Sequence, residues 1–144
     1  MTRSISMVTA ALVLFVSPLA LAGEQLQLVE RALSDTIVHT GGKDDAVGNL
    51  LTFANPVFNA ANKTQLGSDQ GFCVRVALGK SWECLWTVTL TNGQITVEGP
   101  FMDQGDSLLA ITGGTGKYTG AKGVLKLHSR DAKGSAYDFH YELQ

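Results

Sequence analysis

The chain has 144 residues, 44% hydrophobic and 17% charged, with 16 glycines and 3 prolines, the composition of one folded domain and not of a disordered or collagen-like segment. Lys and Arg number 11 against 13 Asp and Glu, a formal charge of −2, and no short stretch concentrates the basic residues. That excludes an electrostatic grip on nucleic acid and a polybasic membrane patch.

The first 22 residues read as an export leader: Arg3 is the positive start, residues 7–16 are an apolar run, and Ala20-Leu21-Ala22 is the cleavage motif. The run is well short of the roughly 20 residues that span a bilayer, so no stable membrane anchor is expected. The product is secreted or periplasmic, with one mature domain over residues 23–144. Beyond Gly23 helical spacing is nowhere sustained, whereas apolar residues recur at every second position, so the expected class is all-β. The first strand is expected over residues 25–37, followed by a polar, mobile loop at residues 40–45 that could serve as a lid. Further strands are expected over residues 50–60 and 71–78, with a turn at Leu78-Gly79-Lys80. Cys73 and Cys84 flank that turn. Outside a cytosol they can pair, and closing so short a loop would contribute roughly 2–3 kcal/mol. The competing reading is two buried apolar thiols; neither cysteine has a neighbouring Lys or His to activate it.

The clearest hairpin joins residues 86–91 to 94–98 through Asn92-Gly93, a pair suited to the positive φ angles of a type I′ turn. It sets Trp86, Val88 and Leu90 beside Ile95 and Val97 on one face and the threonines on the other. Residues 100–103 continue it, and residues 107–112 make the next strand. The run Thr112-Gly113-Gly114-Thr115-Gly116-Lys117-Tyr118 lacks the spacing and the following helix of a phosphate-binding loop, and reads as a tight turn. Residues 124–129 and the alternating Tyr137, Phe139, Tyr141 and Leu143 complete about eight strands. Short strands with no helix to cover a face point to a closed barrel or a sandwich, and closure removes the exposed edges.

Several chemistries lack support. His39, His128 and His140 have no ligand spacing, two cysteines do not complete a structural zinc site, and no G-x-S-x-G elbow occurs. No metal site is expected, and no motif implies a cofactor. What the residues offer is a polar group in apolar company. Glu30 alternates with Leu26 and Leu28, and Asn55 with Leu51, Phe53 and Val57. Inside a barrel, desolvation would raise the carboxyl pKa, and the asparagine would need a partner or a ligand. The plainer alternatives are a buried ion pair of Glu30 with Arg75 and a structurally satisfied amide at Asn55.

The segments Val47-Gly48-Asn49-Leu50, Phe53-Ala54-Asn55, Gly71-Phe72-Cys73-Val74, Val97-Glu98-Gly99-Pro100-Phe101 and Ala110 to Tyr118 occur in the order found in the allene oxide cyclase family, which the chain resembles. The glycine-rich run and Gly120-Ala121-Lys122-Gly123 also resemble the related dirigent proteins. The resemblance implies an eight-stranded antiparallel, calycin-like barrel with an apolar lumen, assembled as a homo-oligomer, a trimer. It also implies a small hydrophobic ligand, cyclised or isomerised by confinement; in the family an unstable fatty-acid epoxide closes to a cyclopentenone. Glu30 matches the family's glutamate and takes the catalytic role, Asn55 matches its asparagine, and Cys73 its lumenal cysteine. Ala32 stands where the family has a second asparagine, and Phe101 where it has a tyrosine. Phe53, Arg75, Trp86, Val88 and Val97 complete the expected ligand-binding set. A dirigent-like or lipocalin-like barrel that orients or carries its ligand is the alternative, and a lumen packed shut by Trp86, Phe53 and Phe101 is a third.

Overall fold

The computed structural model describes residues 23–42 and 44–144, so the expected leader lies outside the described residues. Nine strands follow in chain order: β1 (Gln25–Arg31), β2 (Thr36–Val38), β3 (Leu50–Asn59), β4 (Gln65–Ala77), β5 (Ser81–Leu90), β6 (Gly93–Met102), β7 (Ser107–Gly116), β8 (Gly123–Ser129) and β9 (Ala136–Leu143). From β3 to β9 each strand pairs antiparallel with the next, and β1 pairs with both β9 and β3. The sheet thereby closes into the expected eight-stranded barrel. The short β2 hydrogen-bonds only to β3, through Thr36–Thr52, Ile37–Leu51 and Val38–Leu50, whereas β1 meets the far end of β3 at Val57, Phe58 and Asn59. The expected first strand is therefore one interrupted stave, broken at residues 32–35.

Period-two alternation places the core. Trp86, Val88, Ile95 and Val97 are buried inside the barrel, while Thr87 and Thr96 pair outside through their hydroxyls at 3.0 Å. Leu109, Ile111, Leu125, Leu127, Phe139 and Tyr141 close the same core from the other side. Each large apolar side chain buried this way contributes about 1.5–3 kcal/mol.

Three boundaries differ from expectation. β4 begins at Gln65, six residues before the apolar alternation does. In the β5–β6 hairpin Leu90 pairs with Gly93, so Thr91 and Asn92 make the connection, and Asn92 has no positive φ. Gly93 is drawn into β6 because its backbone packs on β7, where a Cβ would clash with the Thr115 carbonyl. The pairing is offset by two residues from an Asn92-Gly93 loop, which leaves every side chain on its expected face. Finally, the glycine run is strand and not turn: β7 continues to Gly116, and the chain reverses over residues 117–120. Glycine is needed at position 114 because a Cβ would meet the carbonyl oxygens of Tyr118 and Gln94.

A matched pair of variants checks this packing. Nothing lies within 4 Å of a Cβ built on Gly113. Gly114→Ala is expected to cost about 1–3 kcal/mol and Gly113→Ala less than about 0.5 kcal/mol, read from urea unfolding midpoints.

Candidate functional site

The break in the first stave is where the barrel's polar group assembles. Backbone leaving a ladder needs new partners, and Asn55 on β3 supplies them. Its Oδ1 accepts from the Leu33 and Ser34 amides, both at 2.9 Å, and the Ser34 hydroxyl donates to the Ala54 carbonyl at 2.8 Å. The amide nitrogen turns the other way, donating to Glu30 Oε1 at 2.7 Å and Asp35 Oδ1 at 2.8 Å. Across the β3–β4 ladder from Asn55 stands Asp69, whose Oδ1 accepts the Asn55 backbone N–H at 3.3 Å. Asp69 Oδ2 is buried with no hydrogen-bond partner among the described residues.

Three carboxyl groups thus surround one amide in the barrel wall. Burial, then the charge of Asp69, holds the Glu30 carboxyl well above its ordinary value. Burial likewise pushes Asp69 up to about 7, against the opposing hydrogen bond from Asn55. Asn55 Nδ2 donates to Oε1, and the proton held by Glu30 is shared with the neighbouring Asp69 carboxyl, whose pKa Glu30 lowers as Asp69 raises that of Glu30. Tyr137, opposite Glu30 in the β1–β9 ladder, is raised to about 12, first by burial and then by the charges of Glu30 and Asp35. Tyr141 is raised further by complete burial, with Asp69 adding to it.

Glu30 and Asp35 border a cavity whose other walls are Leu51, Phe53, Trp86, Phe101, Leu127, Tyr137, Phe139 and the Cys73–Cys84 disulfide. Its volume is about 40 Å³, room for about three waters. Trp86 packs between Phe53 and Phe139, with ring centroids 6.1 and 5.7 Å away, which accounts for how little space remains.

The expected residues divide accordingly. Glu30, Phe53, Cys73, Trp86 and Phe101 meet at the cavity, whereas Val88 and Val97 are buried in the surrounding core and do not border it. Asn55 stands behind Glu30, fully engaged by protein groups. Cys73 and Cys84 are directly opposed on β4 and β5 and are joined, so the reading as two free thiols is overturned. The ion pair of Glu30 with Arg75 does not form. Arg75 Nη1 binds Asp103 at 2.6 and 2.7 Å, its Nε binds Asp45 at 3.0 Å, and its guanidinium lies 4.1 Å from the centre of the Trp82 ring. This buried arginine therefore ties the residue 39–49 loop to the β6–β7 connection. The loop is held further by Asn49, which is buried and donates to the Asp44 carbonyl at 3.1 Å.

Sequence reasoning missed Asp69, Asp35 and the partnership of Tyr137 with Glu30. Asp69 was within reach: it shares parity with Gly71, Cys73 and Arg75, and extending that alternation backwards places it inside. Asp35 carries no such signal, because it lies in the break and reaches Asn55 from a loop.

The sequence profile described as allene oxide cyclase matches residues 26–131. Among solved structures, the barrel is similar to a pyocyanin demethylase, at 23% identity and a TM-score of 0.71, covering 84% of this chain and 100% of that one. Two pterocarpan synthase dirigent proteins are also similar. One has 16% identity and a TM-score of 0.69, covering 83% of this chain and 92% of its own. The other has 17% identity and a TM-score of 0.68, covering 83% and 82%.

The raised carboxyl groups set a sign for stability against pH. The folded state keeps protons that the unfolded chain releases, so their contribution is fully present below the ordinary aspartate value of 3.8 and is lost as pH rises through about 7. Asp69→Asn, which keeps an oxygen for the Asn55 amide, is expected to flatten that decline and to raise the thermal midpoint at pH 8 by about 4 °C or more. Thermal melts of both proteins across that pH range provide the check.

Proposed function

The chain belongs to the allene oxide cyclase family, and on that premise we propose that it is an exported barrel that binds a small hydrophobic molecule and guides its cyclisation or isomerisation without a cofactor. One observation carries this reading: a buried carboxyl group, its proton affinity raised by burial and its Oε1 held by Asn55, on a cavity walled largely by apolar side chains, Phe53, Trp86, Phe101 and Phe139 among them. Holding the reacting end of the ligand against Glu30 between aromatic walls supplies proximity and orientation, for which roughly 7–11 kcal/mol is available in well-aligned systems. Glu30 adds what the walls lack. It donates its proton to an oxygen that gains negative charge, and the resulting carboxylate, beside Tyr137 and Asn55, takes a proton back from the product side. Asp69, which does not border the cavity, acts through Glu30 by holding its proton affinity high, and Asp35 adds to that effect from the cavity wall.

A dirigent-like or lipocalin-like barrel that orients or carries its ligand is the second reading. It is favoured by Ala32, whose methyl offers no hydrogen bond where the family resemblance places an asparagine, and by the complete engagement of Asn55 with protein groups. Export is supported by the leader-like N-terminus and by the Cys73–Cys84 bridge, since such bonds persist in oxidising compartments. Assembly into an oligomer, the trimer that the family resemblance implies, is supported by exposed apolar side chains outside the barrel, where Phe72 faces Leu85 across the β4–β5 ladder and Val76 and Leu108 are also exposed.

Native mass spectrometry of the exported protein, followed by solvent extraction, is expected to show a trimer carrying an apolar passenger of low mass. Turnover of that passenger or its precursor is expected to fall by about 10²-fold or more in Glu30→Gln, the usual contribution of a general acid. Unchanged turnover in this variant would remove the catalytic role, and binding without any product would establish the carrier reading.

A further inference from the structure

We infer that the substrate-sized site of this protein is an outer chamber above the lumen, and that Tyr137 with Phe101 forms the door through which its occupant reaches Glu30. The inference rests on the lumen reading only in taking Glu30 as the destination.

Size is the first argument. The cavity at Glu30 has a volume of about 40 Å³, whereas a cleft of about 660 Å³ lies between the β6–β7 connection and the β8–β9 connection. Small-molecule sites commonly occupy about 300–1,000 Å³, so only the outer space is of that class. Connectivity is the second. Among the described residues Phe101, Leu127 and Tyr137 border both spaces and so form the wall between them. The Phe101 and Tyr137 rings meet edge to face at 5.7 Å and 74°. Tyr137 is also the ladder partner of Glu30, so a turn of this one ring about its side-chain torsions opens a path to the carboxyl group.

The ring's present position has a backbone cause. Gly134, in the β8–β9 connection, lies against the Tyr137 hydroxyl with φ +65°, and a Cβ there would collide with that oxygen. The positive φ favours glycine at this position, and the absence of a side chain there leaves room for the Tyr137 hydroxyl.

The lining sets the ligand class. Phe101, Met102, Leu127 and Tyr137 make an apolar floor. The rim acids are already engaged: Asp103 by Arg75, Asp106 by His128 at 2.6 Å, and Asp131 by Ser135 and the Lys133 amide. An apolar floor carrying two rings, beneath acids whose hydrogen bonds are already taken within the protein, suits an uncharged, ring-containing molecule, whose narrow end passes the door while its body stays outside.

Two readouts test this on the full-length exported protein. The uncharged fluorophore N-phenyl-1-naphthylamine reports the outer chamber. The Cys73–Cys84 bridge, a wall of the lumen, reports passage through the door, because dithiothreitol must reach it to reduce it to two thiols while its own two thiols are oxidised to a cyclic disulfide. The dye is expected to bind saturably to the wild type and to slow reduction. Met102→Arg, which alters only the outer chamber, is expected to weaken dye binding by about tenfold or more through burial of a charge. Tyr137→Ala and Phe101→Ala are each expected to accelerate reduction by about tenfold through freer access, with thermal melts confirming that both remain folded. Dye binding unaffected by Met102→Arg would overturn the outer chamber. Wild-type reduction rates in both folded alanine variants would overturn the door. Glu30→Gln turnover equal to wild type alongside the expected dye and reduction results would remove the catalytic reading and leave the two chambers standing.

Discussion

The amide of Asn55 is the joint on which the barrel and its site both depend. A closed barrel needs its first stave hydrogen-bonded on both edges, yet this stave breaks between Arg31 and Thr36. Asn55 Oδ1 takes over the bonding of the loosened backbone, and the same side chain's nitrogen fixes Glu30 and Asp35. Because one planar group performs both tasks, the orientation of the carboxyl group is coupled to the closure of the barrel. Removing either set of bonds would strand buried polar atoms on the other side, each costing about 1–3 kcal/mol.

The electrostatics follow from that joint. Glu30, Asp35 and Asp69 gather around Asn55, and among the described residues no cation forms an ion pair with any of them. Arg75 is buried, but its guanidinium is committed to Asp45 and Asp103. For Glu30 and Asp69, which are buried and form no ion pair among the described residues, the least costly state keeps a proton on the pair. The barrel thereby gives up stability near neutral pH and gains an acid that is protonated where free carboxylic acids are not, the pattern by which enzymes prepare proton donors.

How much of this was legible depends on the kind of signal each residue carries. Glu30, Phe53 and Trp86 were readable because their strands are amphipathic with period two, and parity assigns them to one face, whereas Phe101 was placed by the family resemblance. The export-compatible disulfide was readable from two cysteines flanking a short turn. Asp69 was legible only by carrying the parity of Cys73 and Arg75 back into the polar residues 65–71, where no apolar neighbour in sequence marks the start of β4. The glycine run misled for a related reason. Glycine marks both a positive φ and a close backbone approach, and at Gly114 the second applies. The cavity volume was not legible at all, since it depends on how Trp86 fills the space between Phe53 and Phe139.

By itself the sequence determined the all-β class, the inward face of most strands, and the presence of a carboxyl group and an amide on those faces. These are consequences of local alternation, which each strand carries independently of its neighbours. Only the tertiary structure decided that Glu30 meets Asn55 across 25 positions of sequence, that Arg75 answers two other aspartates, and that a narrow lumen lies beneath a wider chamber. Pairwise partners and enclosed volume arise from ring closure among distant strands, and no periodicity within a single strand encodes which neighbour will face it.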